Sequence, residues 1–398
     1  MGQSKKGLKM KVRTIENLDV CGKFVLLRDD FNVQIVDGKI TDAFRIEQSM
    51  PTINALRSAG AKIAIVAHRG RPKGQRNMDY TLQPIADYMN IPLIADCLDK
   101  DFMANMKNGD VVLLENVRFY AGEEENSPAF AESLARGFDL FVNDAFAVSH
   151  RAHASTVGVA EILPSFAGKL LADEIKHLTA VMENPKRPLL SIVAGSKVST
   201  KIGVLKALAK LSDTLIIGGA LGTTFNYAMG GRVGNSLYEA DQKDTALEIL
   251  EYAKQNNCDV LLPLDKGVAK EFARDAVREN KDFSQIQDDD IIIDAGVATT
   301  QRDTDAIKNA RTVIWNGTVG MAEWQPTWSY GSFALAETIA QQTKAGKLDS
   351  IVGGGDTVAA LEACGVKDDI TYVSTGGGAF LEFIEGRVLP GIAILENK

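Results

Sequence analysis

The chain has 398 residues, a length that favours two domains of roughly 200 residues each over a single core. Its formal charge is −8, and 45% of its residues are hydrophobic and 24% charged, as in an ordinary globular protein. The acidic balance argues against general binding to nucleic acid or to an anionic membrane, because both partners require an excess of Lys and Arg.

Four well-separated cysteines with no CxxC pair are typical of free thiols in a reducing compartment. The first nine residues are polar and basic and no apolar segment follows them, so we predict no secretory signal and interpret them as an extension before a domain that begins near Met10. No run approaches the ~20 apolar residues of a membrane span. We therefore expect a cytoplasmic protein without nucleic-acid or membrane partners.

Short runs rich in Val, Ile and Leu recur along the chain, each followed by a loop and then by helical spacing. Because the runs are apolar at every position, they predict strands buried on both faces, as in a parallel sheet covered by helices. The predicted strands are 24–28, 62–67, 91–95, 111–115 and 140–143 in the first half, and 189–194, 214–219, 259–263, 290–294, 312–315, 350–352 and 371–374 in the second. The fold class is therefore α/β, with two doubly wound, Rossmann-like parallel-sheet domains.

Between the two series, apolar residues repeat at three- and four-residue steps from Leu171 to Met182 before two prolines end the pattern. This spacing predicts a helix within 166–184 that joins the domains as a hinge. The predicted N-terminal domain is 1–165, joined by the tail 388–398, and the predicted C-terminal domain is 185–387. An alternative is that this helix packs within a single domain.

In open α/β sheets, ligands bind at the carboxyl ends of the strands. The first-half strands are followed by RDDFN (28–32), AHRGRP (67–72), ENVRFY (115–120) and NDAFAVSHRAHAS (143–155). Any one of these arginines alone is more often a surface residue or half of an ion pair, but their concentration at several strand ends predicts a pocket for a small anion. His150 and His153 also resemble a metal-ligand pair, although no Cys or carboxylate is spaced to complete a zinc site.

The second-half strands are followed by glycine-rich turns, which include the triplets 353–355 and 376–378. A glycine turn at a helix N-terminus offers backbone N–H groups to a phosphate, and Lys197 and Lys201 lie near such a turn. Asp356 is either a helix cap or, beside a phosphate, a ligand of a magnesium ion. No GxGxxG or GxxxxGK[ST] motif occurs here. The pattern favours a phosphotransferase that closes two domains around an anionic acceptor and a magnesium nucleotide.

Eight motifs in chain order resemble those of phosphoglycerate kinase. They are RDDFNV (28–33), HRGRP (68–72), ENVRFY (115–120), NDAF with HRAHAS (143–155), GSKVSTK (195–201), WNGTVG (315–320), GGGDT (353–357) and STGGGA (374–379). The resemblance implies reversible transfer of a phosphoryl group between 1,3-bisphosphoglycerate and MgADP, which yields 3-phosphoglycerate and MgATP, by a monomer.

The resemblance also implies roles for individual residues. The substrate-binding residues would be Asp30, Phe31, Asn32, Arg45, His68, Arg69, Gly70, Arg71, Arg118 and Arg151. The nucleotide-binding residues would be Lys201, Gly296, Asn316, Glu323, Gly354, Gly355, Asp356 and Thr357, with Glu323 on the ribose and Asp356 on Mg²⁺. The catalytic residues would be Arg45, Lys197, Lys201, Gly376 and Gly377.

The chain departs from the family pattern at four positions. Gln34 and Thr318 replace prolines, Arg69 replaces leucine and Ala147 replaces glycine. The first two loosen ligand loops, so we expect altered Michaelis constants. Two alternatives to a kinase are a two-domain anion-binding module without catalysis and a nicotinamide dehydrogenase, and the missing GxGxxG disfavours the second.

Overall fold

The computed structural model describes residues 11–396, so the predicted extension at residues 1–9 lies outside the described part of the chain. The chain divides into two compact units. The first unit comprises residues 1–176 with 388–398, and the second unit comprises residues 177–387.

The strands of residues 11–396, in chain order, all lie within one or other unit. They are β1 (Phe24–Arg28), β2 (Ile35–Val36), β3 (Lys39–Ile40), β4 (Lys62–Val66), β5 (Leu93–Ile94), β6 (Val111–Leu114), β7 (Leu140–Asn143), β8 (Ser165–Ala167), β9 (Leu189–Ala194), β10 (Thr214–Gly218), β11 (Asp259–Leu261), β12 (Asp265–Ala269), β13 (Glu279–Asp282), β14 (Ile291–Ala295), β15 (Thr312–Asn316), β16 (Asp349–Gly353) and β17 (Tyr372–Ser374).

The α-helices lie between or after these strands. They are α1 (Phe44–Ser58), α2 (Gln83–Met89), α3 (Ala121–Glu124), α4 (Pro128–Ala135), α5 (Val159–Ile162), α6 (Lys169–Glu183), α7 (Ile202–Leu211), α8 (Gly219–Ala228), α9 (Lys243–Gln255), α10 (Val297–Asn309), α11 (Tyr330–Lys344), α12 (Gly355–Ala363), α13 (Gly378–Ile384) and α14 (Pro390–Ala393). None of the helices described is both long enough and apolar enough to cross a membrane.

The first unit is built on a six-stranded parallel sheet in the order β5-β6-β4-β1-β7-β8. Strand β1 lies between β4 and β7, with Arg28 in register with Val66 and Asn143. The loops after these three strands therefore leave the same edge of the sheet. Hydrophobic clusters cover both faces, which explains why the strands are apolar at successive positions.

The second unit contains a six-stranded parallel sheet in the order β11-β10-β9-β15-β16-β17. Numbered within this sheet alone, the order is 3-2-1-4-5-6, with the reversal between β9 and β15. All six residues of β9 are buried. The two parallel sheets confirm the predicted α/β fold class.

Strand β14, predicted within the second parallel series, pairs elsewhere. It joins β12 and β13 in a three-stranded antiparallel sheet, with β12 in the middle. The sequences of β12 and β13, DKGVA and ENKD, carry charged residues and a glycine, and therefore lack the apolar run that marked the other strands. The sequence could not reveal the partners of β14 for this reason.

Helix α6 forms where the apolar spacing predicted a helix. Its residues Leu171, Ile175 and Leu178 are buried on one face, in agreement with the three- and four-residue steps. The division between the two units falls inside this helix, between Lys176 and His177.

Candidate active site

In the first unit, Asp30 connects two of the predicted substrate residues. Its Oδ2 accepts a hydrogen bond from Arg45 Nη1 at 2.5 Å, and its Oδ1 lies 3.7 Å from Nδ1 of His68. Asp30 and His68 are buried, whereas the Arg45 side chain is 30% exposed. The buried carboxylate thus holds the Arg45 guanidinium at the start of α1 while part of it faces solvent.

The loop after β4 is joined to its neighbours by Gly70. The Gly70 N–H donates to Asn32 Oδ1 at 2.9 Å, and its carbonyl accepts from Arg118 Nη1 at 2.8 Å. The φ of Gly70 is +64°, and a Cβ there would lie 2.2 Å from the ring of Tyr80. Only glycine fits this position, so Gly70 fixes the loop that brings Asn32 and Arg118 together.

The positive charge of this cluster comes from its arginines. Burial lowers the pKa of His68 well below its usual value, and the Arg28 and Arg118 guanidiniums lower this pKa further. Burial lowers the pKa of His153 to about 4, so both imidazoles are neutral at pH 7. Burial also lowers the pKa of Arg118, with nearby Arg28 and Arg151 acting in the same direction. Guanidiniums stay protonated even so, and this crowding favours the arrival of an anion.

A buried network that the sequence did not suggest supports these residues. Arg28 is completely buried, and its Nε donates to Ser155 Oγ at 2.9 Å while Nη2 lies 3.2 Å from His68 Nδ1. Ser155 in turn donates to both oxygens of buried Glu123. An arginine at the end of a wholly apolar strand was a visible signal for this network, but its partners come from distant loops.

Four predicted substrate residues differ in their surroundings. Phe31 is fully buried in the hydrophobic core and exposes no surface to a ligand. Arg69 Nη1 donates to the carbonyls of Asp79 and Thr81, which makes it a brace for the following loop. Arg71 is exposed, and Arg151 Nε donates to His150 Nε2 at 3.1 Å.

The second unit contains a cavity of about 700 Å³ at the carboxyl end of its parallel sheet. Its apolar lining includes Leu237, Phe272 and Ile291–Ile293, and its polar lining includes Lys266, Asp294, Glu323 and Asp356, beside Gly195 and Gly219. Apolar side chains with a few polar groups and glycines suit a nucleotide, whose base would pack on the apolar residues and whose phosphates would approach the glycines. The sequence revealed Glu323, Asp356 and the glycines, but the apolar residues come from the unpredicted antiparallel sheet and the loops around it.

Lys201 and Asn316 meet at the switch point between β9 and β15. The Lys201 ammonium donates to Asn316 Oδ1 at 2.8 Å and to the carbonyl of Ala194 at 2.6 Å. Burial lowers the pKa of Lys201 to about 8, and the carboxylate of Asp356 opposes this change. The ammonium is therefore largely charged at neutral pH and lies near the glycines that the phosphates would approach.

The first glycine triplet forms the N-terminus of α12. Gly354 has a φ of +103°, and a Cβ there would lie 2.7 Å from Asn316 Nδ2. Asn316 Nδ2 also donates to the carbonyl of Gly353, and the hydroxyl of buried Thr357 accepts from Gly317 N at 2.7 Å. These contacts hold the turn, while the exposed Gly355 and Asp356 face solvent at the helix end.

Four other predicted nucleotide-binding or catalytic residues differ in their burial and in their position relative to the cavity. Gly296 is buried and does not line the cavity, and a Cβ there would lie 2.3 Å from the Asp265 carboxylate, so close packing explains this glycine. Lys197 is exposed and also lies outside the lining. Gly376 N donates to Ser374 Oγ, and Gly377, with a φ of +50°, has open space around it at the start of α13.

Comparisons with known proteins agree with this geometry. The family model described as phosphoglycerate kinase matches residues 15–387. The chain is 46% identical to a phosphoglycerate kinase of Methylorubrum populi over 95% of this chain and 96% of that protein. It is also 46% identical to a phosphoglycerate kinase of Mesorhizobium japonicum over 97% of this chain and 99% of that protein.

Solved structures give the same result for the fold. The phosphoglycerate kinase of Coxiella burnetii superposes with a TM-score of 0.86 at 40% identity, over 97% of this chain and 99% of the other. That of Pyrococcus horikoshii OT3 gives a TM-score of 0.81 at 28% identity, over 96% and 98%. These likenesses do not favour a binding module without catalysis. The chain belongs to the phosphoglycerate kinase family and is a glycolytic phosphotransferase, as its motifs predicted.

Proposed function

We propose that the chain transfers a phosphoryl group reversibly from 1,3-bisphosphoglycerate to MgADP, which yields 3-phosphoglycerate and MgATP. One observation carries this proposal: Asp356, in the first turn of α12, lines a cavity with several apolar side chains, and Lys201 donates to Asn316 at the switch point of the same sheet. This arrangement supports a nucleotide whose terminal phosphate lies near a lysine and a helix end. Membership of the family supports the identity of the second substrate.

The first unit binds the phosphoglycerate in this proposal. Arg118 and Arg151 provide charge for its phosphate, together with Arg71, while Asp30 and Asn32 orient its polar groups. Arg45 contacts the transferred phosphoryl group in this proposal. Asp30 holds its guanidinium in position, and part of the side chain remains open to solvent. His68, neutral at pH 7, serves as a hydrogen-bond partner and contributes no charge.

No general base is required for the transfer. The attacking group is a carboxylate in one direction and a phosphate oxygen in the other, and both are already deprotonated at neutral pH. The residues instead stabilise negative charge on the transferred group. Lys197 and Lys201 provide cations, and the backbone at Gly376 and Gly377 provides N–H donors. Glu323, which lines the cavity, binds the ribose hydroxyls.

A magnesium ion fits the residues of the cavity. Among residues 11–396 no group of three or more His, Cys, Asp or Glu side chains is arranged as a metal cluster. Asp356, exposed in the lining of the cavity, is a single carboxylate of the kind that holds Mg²⁺ directly or through water when phosphates supply most other ligands. When bound, the ion neutralises phosphate charge; Asp356 positions it and Lys201 adds a further cation.

Transfer further requires that the two substrates approach each other. The proposed phosphoglycerate residues belong to the first unit and the nucleotide residues to the second. We therefore propose that two domains close on both substrates, with the helix at 166–184 as the hinge. The first domain is 1–165 with the tail 388–398, and the second is 185–387. Small-angle scattering should show a smaller radius of gyration with both substrates than with either alone, and an unchanged radius would refute closure.

The activity can be tested in the direction of acyl phosphate synthesis. The chain is incubated with 3-phosphoglycerate and MgATP, with hydroxylamine to trap the acyl phosphate, and ADP and hydroxamate are measured together. We expect equal amounts of both products, and none when 3-phosphoglycerate is omitted. ADP release without hydroxamate would indicate an ATPase and contradict the proposal. We also propose a cytoplasmic monomer without nucleic-acid or membrane partners, which sedimentation and cell fractionation would test.

A further inference from the structure

Lys266 is a buried cation that the proposed mechanism does not use. It lies on β12, where it is in register with Ala295 of β14, and only 1% of its surface is exposed. Within residues 11–396 its ammonium makes no hydrogen bond and no ion pair, and the ring of Phe283 lies 6.0 Å from it. A buried charge without a direct partner is costly, so its position needs an explanation.

Lys266 borders the cavity described above. It lines the same cavity as the apolar residues Leu237, Phe272 and Ile291–Ile293, on which a nucleobase would pack. A fully apolar pocket would hold any planar base by contact alone. A lysine in such a wall adds a donor group that can distinguish one base edge from another.

The charged side chains around Lys266 include three acids and one arginine, and among the described residues none of them forms an ion pair with its ammonium. Burial lowers the pKa of Lys266 to about 8, while Asp294 on β14, Asp303 on α10 and Asp265 on its own strand raise it, and Arg302 on α10 lowers it. Two of these acids already have cations of their own: Asp294 pairs with Arg278 at 2.7 Å and Asp303 with Arg302 at 2.6 Å. The ammonium therefore remains largely charged at neutral pH and keeps donors for a ligand.

We propose that the Lys266 ammonium recognises the nucleobase and selects purines that carry an oxygen at position 6. An ammonium has three donors and no acceptor. Guanine and hypoxanthine present the O6 acceptor beside N7, whereas adenine presents an amino donor at position 6. GDP and IDP would thus gain a charge-assisted hydrogen bond that ADP lacks. This inference rests on the proposed nucleotide site and adds a base preference to it.

The test compares four nucleotides with the full chain. The values of kcat/KM are measured with 1,3-bisphosphoglycerate and the magnesium salts of ADP, GDP, IDP and purine riboside diphosphate, which has only hydrogen at position 6. A hydrogen bond to a charged group contributes about 1.5–3 kcal/mol, or roughly 10- to 150-fold. We expect GDP and IDP to exceed purine riboside diphosphate by at least about tenfold in the unmodified chain.

The variant Lys266→Met keeps the length of the side chain and removes its charge. It should reduce the advantage of GDP and IDP over purine riboside diphosphate to less than about threefold, while Lys270→Met, an exposed lysine just after β12, should preserve it. Turnover of ADP without any preference for the 6-oxo bases in the unmodified chain would overturn this inference but not the proposed function. An advantage that persists in Lys266→Met would also overturn it. Absence of turnover with all four nucleotides would instead refute the proposed function.

Discussion

Lys201 and Asn316 form a 2.8 Å hydrogen bond across the switch point of the second sheet. Each residue is also tied to a strand end: the ammonium donates to the carbonyl of Ala194, and Asn316 Nδ2 donates to that of Gly353. The loops after β9, β15 and β16 are thereby joined through one lysine and one amide. A phosphate at the start of α12 would lie against a cation that is already held in place.

The substitution Lys201→Met tests this pair. It keeps the buried stem and removes the ammonium, so binding and stabilisation of the phosphate should suffer more than folding. We expect kcat/KM for MgADP to fall by at least ~100-fold, within the range for a cation that stabilises phosphoryl transfer. Lys210→Met changes an exposed lysine near the end of α7, the helix that begins directly after Lys201, and should leave kinetics unchanged. Normal kcat/KM in a folded Lys201→Met would refute the assignment.

Asp356→Asn tests the proposed magnesium ligand. An amide oxygen binds Mg²⁺ more weakly than a carboxylate does, so more free Mg²⁺ should be needed for half-maximal rate. We expect an increase of about 10- to 100-fold in that concentration, as for groups that position a metal. The matched control is Asp368→Asn, an exposed carboxylate elsewhere in the second unit. An unchanged magnesium dependence would mean that phosphates and water alone hold the ion.

Arg45→Ala tests the guanidinium that Asp30 positions. The variant should lower kcat by at least ~100-fold, because an arginine on a transferred phosphoryl group can contribute roughly 10³ to 10⁵ in rate. The fold should survive, but the variant leaves the buried Asp30 carboxylate without its guanidinium, so some stability should be lost and Tm is measured alongside kcat. Arg57→Ala, in the last turn of the same helix, is the control. Near-normal kcat in purified Arg45→Ala would exclude this role.

Two buried carboxyl groups, Asp29 and Asp144, make the stability of the first unit dependent on pH. Burial raises the pKa of Asp29 well above its usual value, and Asp144 raises it further, whereas Ser49 and Arg28 oppose the change. Burial raises the pKa of Asp144 to about 7, although Thr52 and the backbone of Leu171 oppose this. The folded chain therefore binds these protons more tightly than the unfolded chain does. The stabilising contribution of Asp144 is complete below about pH 4 and is lost as pH rises through about 7, and that of Asp29 is lost as pH rises through its own raised pKa.

Asp29→Asn should weaken that dependence. The substitution removes one charge of the pair, so the variant should gain thermal stability relative to the unmodified chain at pH 8 and gain little at pH 5. Each kcal/mol corresponds to about 2–4 °C in Tm for a unit of this size. Scanning calorimetry at both pH values measures the difference, with exposed Asp87→Asn as the control. An equal change at both values would contradict the coupled titration.

The sequence predicted the parallel strands because each is apolar at successive positions. It also predicted His68 and Arg118 as parts of one site, since their motifs follow strands of one sheet, whereas Arg45 was supplied only by the resemblance to the family. It did not predict β12 and β13, whose charged residues obey no apolar pattern and whose pairing is set by tertiary contacts. Lys266 was missed for the same reason, although a lysine within LLPLDKGVA was a visible irregularity.

Arg69 and Gly296 show a second limit of motif-based prediction. Arg69 replaces the family's leucine within HRGRP, and Gly296 was carried over from the family outside the eight motifs; Arg69 braces two backbone carbonyls, and Gly296 packs against Asp265. A motif fixes the type and order of residues, but the direction in which each side chain points depends on neighbours from other parts of the chain.

The central claim is that both sites act in one transfer reaction. The most direct measurement is ATP formed from 1,3-bisphosphoglycerate and MgADP by the unmodified chain, compared with Lys197→Ala and with Lys206→Ala as control. We predict saturable ATP formation that requires both substrates and Mg²⁺, a loss of at least ~100-fold in Lys197→Ala, and no change in Lys206→Ala. A folded chain that binds both substrates but forms no ATP would contradict the account.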